Sequence, residues 1–325
     1  MTKAVRIHNY GGPEALRYED VADDAPGAGQ VRLKQTAIGL NFIDIYYRTG
    51  VYKVPQFPVT LGCEAAGEIE AVGDGVTEFK VGDRVCYGGG FGGYAQARTM
   101  PADRLVKIPH GITDKQAAAM TLQGLTAQYL LRLTYRVQKG DTVLVHAAAG
   151  GVGLIMCQWA KHLGATVIGT VGSDEKAKLA AENGCDHPIV YTKEDYVQRV
   201  KQITKGELLP VVYDSIGKDT FERSLDCLRP RGLMVSFGNA SGKVDPVDLQ
   251  ILSQKGSLFL TRPTLYSYNI TRAELLANAA ELFDVVKHEH VRIKIGQTYA
   301  LKDVAQAQID LAARKTTGST VILPS

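Results

Sequence analysis

A chain of 325 residues is longer than one hydrophobic core usually fills, so its length predicts two domains. Its hydrophobic content of 45% and charged content of 22% are ordinary for a soluble globular protein. The net charge of +3 is small and dispersed, which argues against nucleic acid as the main partner. The five cysteines form no Cys-x-x-Cys pair, and no segment reaches about 18 consecutive apolar residues. We therefore expect a cytoplasmic protein without a membrane span.

The first 120 residues predict a β-rich region of short strands separated by turns of glycine, proline and aspartate. The predicted strands are residues 4–7, 31–36, 65–72, 84–87 and 105–108.

From about residue 122 to 262 the pattern becomes strand, helix and strand, which is typical of a doubly wound parallel sheet. The predicted strands are residues 142–146, 166–171, 188–191, 211–214, 233–237 and 257–260, and helices are predicted at 151–163, 174–182 and 194–204. The tail predicts a helix around 275–286, a strand near 293–299, a helix near 302–314 and a strand at 319–323. The simplest α/β organisation inserts the nucleotide domain into a β-rich domain built from both chain ends, with a cleft between them.

The most specific signal is an apolar strand that leads into a turn of small residues and then into a helix. Ala148, Gly150 and Gly153 have the spacing of a dinucleotide fingerprint, with alanine in place of the first glycine. Gly150 would let the backbone approach a pyrophosphate, and Gly153 would let the helix pack closely on the strand. The free N–H groups at the helix start would hold the phosphate charge. This context predicts a nicotinamide dinucleotide site.

The chain resembles a known family at this turn and beyond it. The run Gly140-Asp141-x-x-Leu144-x-x-x-Ala148-Ala149-Gly150-Gly151-x-Gly153-x-x-x-x-Gln158-x-x-Lys161 is similar to the pattern of the quinone oxidoreductases (zeta-crystallin-like) of the medium-chain dehydrogenase/reductase superfamily. Further matching landmarks are Asn41-Phe-Ile-Asp44, Gly62-Cys-Glu64, Gly82-Asp-Arg-Val85, Tyr213-Asp214-Ser215, Phe237-Gly238-Asn239 and Thr261-Arg262-Pro263. The resemblance spans the chain and is closest to bacterial NADPH:quinone reductases.

The resemblance implies a fold and an assembly. A GroES-like catalytic domain would comprise residues 1–122 and 266–325, and a Rossmann nucleotide-binding domain would comprise residues 123–265. The family is usually homodimeric. The apolar segment 257–260 should be the edge of the Rossmann sheet, and we expect it to pair with its twin in a homodimer, because long apolar edges are usually covered.

Zinc-dependent members of the superfamily place a cysteine near the Asn41 position and a histidine at the Cys63 position. Here those positions carry an amide and a lone thiol, and residues 87–111 hold no cysteine. We interpret Cys63 as a small buried thiol, and His288-Glu289-His290 as a solvated helix end. The sequence thus predicts an enzyme without metal. Reduction of an electron-poor acceptor remains feasible because the cofactor brings the hydride.

The second strand of the predicted Rossmann domain bears on the choice of cofactor. An NAD enzyme usually has Asp or Glu at its end, whereas this strand ends in Gly172 and Ser173. We interpret Asp174 as the cap of the next helix. Lys176 could reach a 2′-phosphate and Tyr191 could stack near the adenine, the alternatives being a solvated lysine and a packed strand tyrosine. The pattern favours NADPH over NADH.

The segment 41–52 is dense in aromatic and amide side chains. The resemblance implies that Asn41 and Tyr46 line the nicotinamide and acceptor cleft with Tyr52 nearby, although packing alone is an alternative for the tyrosines. Asp44 is interpreted as an orienting or capping carboxylate. The cofactor-binding residues expected are Asn41, Gln123, Thr126, Ala149, Gly150, Gly151, Val152, Gly172, Ser173, Lys176, Tyr191, Ser215, Phe237, Gly238, Asn239, Thr261, Arg262, Pro263 and Arg314. Gly238 is expected where a side chain would collide with the dinucleotide.

Three functions remain open at this point. The first is an NADPH-dependent reductase of quinones or similar electron-poor carbonyl acceptors, in which water supplies the proton. The second is a related reductase of the double bond of enones or enoyl thioesters. The third is a non-enzymatic crystallin-like or RNA-binding protein, against which the dispersed charge and the lack of basic and aromatic tracts argue.

Overall fold

The computed structural model describes residues 1–324 and divides them into two compact units. The first unit comprises Met1–Leu125, Asn269–Lys287 and the chain from Ile293 onward. The second unit comprises Thr126–Tyr268 and His288–Arg292. No helix within residues 1–324 is long and apolar enough to cross a membrane.

The first unit begins with short, mostly antiparallel strands. They are β1 (Thr2–Ile7), β2 (Arg17–Val21), β3 (Gln30–Leu40), β4 (Val59–Thr60), β5 (Glu64–Val72), β6 (Arg84–Gly88), β7 (Ala97–Pro101) and β8 (Val106–Lys107). Two helices accompany them, α1 (Phe42–Thr49) and α2 (Asp114–Tyr129), and α2 continues past Leu125 into the second unit. Strands β2, β1 and β4 form one antiparallel sheet. Strand β3 alternates inward and outward side chains over its first residues, as a half-buried strand does.

The second unit is built on a parallel sheet with helices between its strands. Its strands are β9 (Thr142–Val145), β10 (Thr166–Val171), β11 (His187–Val190), β12 (Leu209–Asp214), β13 (Leu228–Ser236) and β14 (Phe259–Thr261). Its helices are α3 (Gly151–His162), α4 (Asp174–Glu182), α5 (Tyr196–Ile203), α6 (Phe221–Leu225) and α7 (Gln250–Gln254). The strand order β11-β10-β9-β12-β13-β14 is that of a Rossmann fold, so the predicted doubly wound sheet is confirmed.

The chain returns to the first unit through α8 (Arg272–Lys287), β15 (Ile295–Ala300), α9 (Val304–Ala312) and β16 (Ser319–Leu323). Strand β16 pairs antiparallel with β3, which completes a sheet in the order β15-β16-β3-β5-β6-β8, with β7 also paired to β3. Each unit has its own hydrophobic core, one around Leu33, Ile69 and Tyr94 and the other around Leu144, Ile168 and Val212.

The segment predicted as a strand at residues 257–260 needs a correction. Ser257 has a left-handed backbone with φ of 57°, and the Leu258 N–H still closes the turn after α7 on the Leu252 carbonyl. Strand β14 therefore begins two residues later, at Phe259. Its predicted place at the edge of the sheet is confirmed, because it pairs with β13 alone among residues 1–324.

Candidate active site

The nucleotide turn, residues 147–153, joins the end of β9 to the first residues of α3. Ala147 has a left-handed φ of 54°, and Gly150 caps α3 with an extended backbone. A Cβ on Gly153 would overlap the Ala147 carbonyl oxygen and lie 2.8 Å from the Ala148 Cα, so the predicted close packing at this glycine is confirmed. A helix start offers N–H groups that have no partner within the helix, here near Gly151 and at the positive end of the helix dipole.

The end of β10 is neutral and small, as predicted, but the cap of the next helix is a different residue. Ser173 Oγ accepts from the Lys176 N–H at 3.3 Å, so Ser173 is the N-cap and Asp174 is the first helical residue. The interpretation of Asp174 as the cap is therefore wrong. Its carboxylate pairs instead with Lys193 Nζ at 2.5 Å, a cation that sequence reasoning missed.

Tyr191 follows β11 and comes back to the end of β10. A Cβ on Gly172 would lie 3.0 Å from the Tyr191 Oη, so the phenol occupies space that this glycine leaves open. The Tyr191 side chain is 41% exposed, whereas a tyrosine that only packed in the sheet would be covered. Lys176 lies on the first turn of α4, at the same end of the strands.

A third group lies at the ends of β12, β13 and β14. Arg262 Nη1 donates to the Ser236 carbonyl at 2.8 Å, and with the Asn239 amide in its satisfied orientation Arg262 Nη2 donates to the Asn239 oxygen at 3.1 Å. A Cβ on Gly238 would overlap the backbone of Ser215, lying 2.8 Å from its Cα. A side chain at position 238 would therefore collide first with the backbone of Ser215, whereas the sequence predicted a collision with the dinucleotide.

The structure brings most of the predicted cofactor residues to one edge of the second unit, because the carboxyl ends of parallel strands meet there. These residues are Ala149, Gly150, Gly151, Val152, Gly172, Ser173, Lys176, Tyr191, Ser215, Phe237, Gly238, Asn239, Thr261, Arg262 and Pro263. Four others lie elsewhere in the fold, and one of them, Asn41, lies at the start of α1 in the first unit. Thr126 and Gln123 are buried residues of α2, and Arg314 is exposed after α9 in the first unit.

In the first unit, Asn41 begins α1 as its N-cap. The Asp44 carboxylate accepts from the Asn41 backbone N–H at 2.9 Å and from Tyr94 Oη at 2.8 Å. This confirms the interpretation of Asp44 as a capping carboxylate. Burial raises the pKa of Asp44 to about 6, although these hydrogen bonds oppose the shift.

Four buried side chains form what we call the Asn41 cluster: Asn41, Glu64, Gln123 and Ser319. Asn41 Nδ2 donates to Glu64 Oε2 at 2.7 Å, and Gln123 Nε2 donates to Asn41 Oδ1 at 3.0 Å. Ser319 Oγ donates to Gln123 Oε1 at 2.7 Å. Burial raises the pKa of Glu64 to about 8. Sequence reasoning missed Glu64 and Ser319; Glu64 stood in a family landmark, whereas nothing near Ser319 indicates its role.

Aromatic side chains follow on the same helix and the loop after it. The rings of Tyr46 and Tyr52 meet edge to face with centroids 5.3 Å apart, and the Tyr52 N–H donates to the Tyr46 carbonyl at 3.0 Å. Tyr47 packs on Phe91 at 4.6 Å. The structure thus brings the two predicted catalytic tyrosines into direct contact.

The predicted positions of zinc ligands have poor donor chemistry. Cys63 is fully buried, and burial together with the neighbouring Asp44 carboxylate raises the pKa of its thiol well above the usual range, which confirms its interpretation as a buried thiol. Both ends of the Asn41 amide are already hydrogen-bonded. His288 and His290 are exposed beyond the end of α8, and the His290 ring stacks on His162 at 3.9 Å. Within residues 1–324 no group of three metal-ligating side chains is gathered.

The parallel sheet of the second unit has the strand order of the Rossmann fold, the nucleotide-binding architecture of many dehydrogenases and reductases. The family model of the alcohol dehydrogenase GroES-like domain matches residues 27–110, and that of the zinc-binding dehydrogenase matches residues 151–284. The chain is 56% identical to a quinone oxidoreductase of Pseudomonas aeruginosa, over 100% of this chain and 100% of that protein. It is 47% identical to a 2-haloacrylate reductase of Burkholderia, over 100% of this chain and 99% of that protein.

A solved structure of Escherichia coli quinone oxidoreductase complexed with NADPH is 47% identical, with a TM-score of 0.98 over 99% of this chain and 100% of that chain. The chain therefore belongs to the quinone oxidoreductase family of the medium-chain dehydrogenases/reductases, and it is an oxidoreductase.

Proposed function

We propose that this protein is an NADPH-dependent reductase that passes reducing equivalents to quinones or similar electron-poor carbonyl acceptors. The observation that carries the proposal is the edge of the parallel sheet, where the nucleotide turn follows β9 and the neutral end of the neighbouring β10 leads into α4 with its Lys176. The full-length identity to proteins named quinone oxidoreductase supports the class of acceptor.

The residues at this edge fit an NADPH molecule. A Cβ built on Gly150 would have a single neighbour within 4 Å, the Ala147 carbonyl oxygen at 3.2 Å. The space beside this glycine is therefore open, and a phosphate could approach the backbone there. Ser173 carries no charge that would repel a 2′-phosphate, and Lys176 supplies a cation. The Asp174 carboxylate next to them is neutralised by Lys193. When bound, NADPH supplies the hydride.

On the acceptor side, we propose that Asn41, Tyr46 and Tyr52 line the acceptor pocket. Their amide and hydroxyl groups can donate hydrogen bonds to an oxygen that gains negative charge, and the tyrosine rings offer surfaces on which a planar acceptor can stack. A reduced quinone oxygen is a stabilised anion, so water can protonate it and no single side chain needs to be a general acid.

We further propose that the reaction uses no metal. Zinc in this superfamily needs thiolate or imidazole ligands, and the two equivalent positions hold an engaged amide and a thiol whose burial opposes ionisation. Purified protein should contain far less than one zinc per chain and should keep its activity in a chelator. Stoichiometric zinc would contradict this part of the proposal.

One relative favours a second candidate function. The full-length identity of 47% to a 2-haloacrylate reductase supports reduction of a carbon–carbon double bond activated by a carboxylate. A screen of NADPH oxidation with benzoquinones, naphthoquinones, enones, 2-haloacrylates and aldehydes separates the two. We expect turnover with quinones to exceed turnover with the activated alkenes; the reverse order would make the alkene reductase the better proposal.

We also propose a cytoplasmic homodimer that pairs through β14. The five cysteines are all unpaired, as expected in a reducing compartment. The edge strand leaves Phe259 61% exposed, and an apolar edge of this kind is usually covered. Light scattering at micromolar concentration should give the mass of two chains; a monomer would contradict the pairing.

A further inference from the structure

Glu64 is a fully buried carboxylate for which the proposed reaction has no direct use. Its Oε2 accepts from Asn41 Nδ2 at 2.7 Å, and its Oε1 accepts from the Leu122 backbone N–H at 2.6 Å. A Cβ on Gly39 would lie 2.6 Å from the carboxylate carbon, so the adjacent strand leaves a space that this group fills. The side chain is therefore held at both oxygens and on one flank.

The hydrogen bonds of the cluster determine which way the Asn41 amide faces. The two ends of an asparagine amide are nearly equal in size, so packing alone cannot distinguish them. Above pH 8, where Glu64 is ionised, its Oε2 is an acceptor beside one end, which selects Nδ2 there. Gln123 places a donor beside the other end, and the Gln123 amide is itself held by Ser319 on β16.

We propose that Glu64 is a positioning residue, which fixes the direction of the Asn41 amide so that Asn41 presents a constant pattern of donor and acceptor to the bound reactants. The inference rests on the proposed function, which puts Asn41 at the reacting groups. A flipped amide would present a carbonyl oxygen where the acceptor oxygen gains negative charge, and the stabilising donor would be lost.

The test begins with the Glu64→Gln variant, which keeps the volume but replaces one acceptor oxygen with a donor. One of the two donors, Leu122 N–H or Asn41 Nδ2, then faces an NH₂ group. In protein labelled with [¹⁵N]asparagine, the Asn41 side-chain resonance is assigned by its loss in Asn41→Ala. All measurements are made at pH 9, where Glu64 is ionised. We expect Glu64→Gln to shift this resonance in the absence of any cofactor. We also expect kcat with a quinone to fall about tenfold, while KM for the quinone changes by about twofold or less.

Glu68→Gln is the matched control, because the same substitution on the same strand falls on an exposed residue. It should move neither the Asn41 resonance nor kcat. If Glu64→Gln does not fold, Ser319→Ala removes a single hydroxyl from the outer end of the cluster. It should shift the same resonance by less and lower kcat about two- to threefold.

Two results would overturn the positioning role. An Asn41 resonance that stays in place in the tested variant means that the amide does not depend on the cluster. In a double variant that combines Glu64→Gln with Asn41→Ala, a further fall of kcat below that of Asn41→Ala alone means that Glu64 acts by another route. If Asn41→Ala has the kcat of the wild type, Asn41 does not act on the reacting groups, and Glu64 then has no positioning role. The proposed function, reduction of quinones, is contradicted by a different result: wild-type protein that does not oxidise NADPH in the presence of quinones.

Discussion

The nucleotide turn and the Asn41 cluster are built by different means. The nucleotide turn is made of backbone within a few consecutive residues, where glycine at position 153 is required by the approach of the helix to the Ala147 carbonyl. The Asn41 cluster is made of side chains from β5, α2, β16 and the start of α1. A site built from backbone should tolerate almost no added atom, whereas a site built from several hydrogen bonds should lose function in steps.

The largest expected effect follows from the backbone site. Gly153→Ala puts a Cβ against the Ala147 oxygen and the Ala148 Cα, and neither backbone group can move without disturbing the start of α3. We expect a loss of about 2–3 kcal/mol in the free energy of unfolding of the cofactor-free protein. Urea denaturation followed by the fluorescence of Trp159, the only tryptophan and a buried residue of α3, measures it.

Gly150→Ala is the matched substitution in the same turn. Its Cβ would meet only the Ala147 oxygen, at 3.2 Å, and its backbone is extended, so the free protein should lose less than about 1 kcal/mol. The affinity for NADPH should nevertheless fall at least about tenfold, since the methyl group would stand where a phosphate must approach. Equal stability losses in the two variants would break the distinction between packing and binding glycines.

A side chain at the edge of the second unit should control the choice of cofactor. Lys176→Ala removes the cation near the end of β10, where a charge-assisted bond to a phosphate contributes about 1.5–3 kcal/mol. We expect the affinity for NADPH to fall about 10- to 100-fold and that for NADH to stay nearly unchanged. Lys178→Ala, an exposed lysine on the same helix, should change neither. Fluorescence titration settles it, and a parallel loss for both cofactors would contradict a phosphate contact.

The tyrosines of the first unit should give smaller losses. Tyr46→Phe and Tyr52→Phe each delete one hydroxyl, so turnover with a quinone should fall by about tenfold or less. A general acid would lose on the order of 100-fold or more. A Phe variant that binds NADPH normally and yet has almost no turnover would show that tyrosine donates the proton, which is the behaviour expected of an alkene reductase.

The two regions also differ in how far the sequence predicts them. Local spacing was enough for Gly153, because it depends on neighbours close in the chain. The edge position of β14 came instead from the strand order of the doubly wound sheet that the resemblance implies. Strand β2 was missed because its residues Arg17–Val21 are mostly exposed and polar, without apolar alternation. The cap at Ser173 was assigned to Asp174 because both residues can cap a helix, and only the backbone geometry separates them. Ser319 joins the Asn41 cluster through sheet pairing, which no local pattern carries.

Buried ionisable groups in the two units make stability depend on pH in opposite directions. Burial raises the pKa of Glu64 to about 8 in the first unit, whereas burial lowers the pKa of His146 in the second. The folded protein keeps a proton on Glu64 that the unfolded chain releases above pH 4.5, so this group costs stability as the pH rises toward 8. His146 has the opposite effect: below its ordinary pKa of 6.5 the unfolded chain takes up a proton more readily than the folded protein does, and stability falls as the pH falls.

The smallest expected effect is the contribution of His146 to the change of the free energy of unfolding with pH. Its ring nitrogens lie 2.8 Å from Thr170 Oγ1 and 2.8 Å from Ser224 Oγ, and the residue is only 2% exposed, so a second proton on the ring is poorly solvated. Because the folded protein takes up this proton less readily than the unfolded chain, the free energy of unfolding reported by Trp159 should fall between pH 7 and pH 5.5, by at most about 1 kcal/mol. His146→Gln should be less stable at pH 7 because a hydrogen bond is lost, but its stability should fall less steeply with acid. Glu64 contributes equally to wild type and variant, so the difference between their two slopes isolates His146.

The exposed His110, changed to Gln, should reproduce the wild-type slope. An unchanged slope in His146→Gln would show that the acid sensitivity of the second unit arises elsewhere.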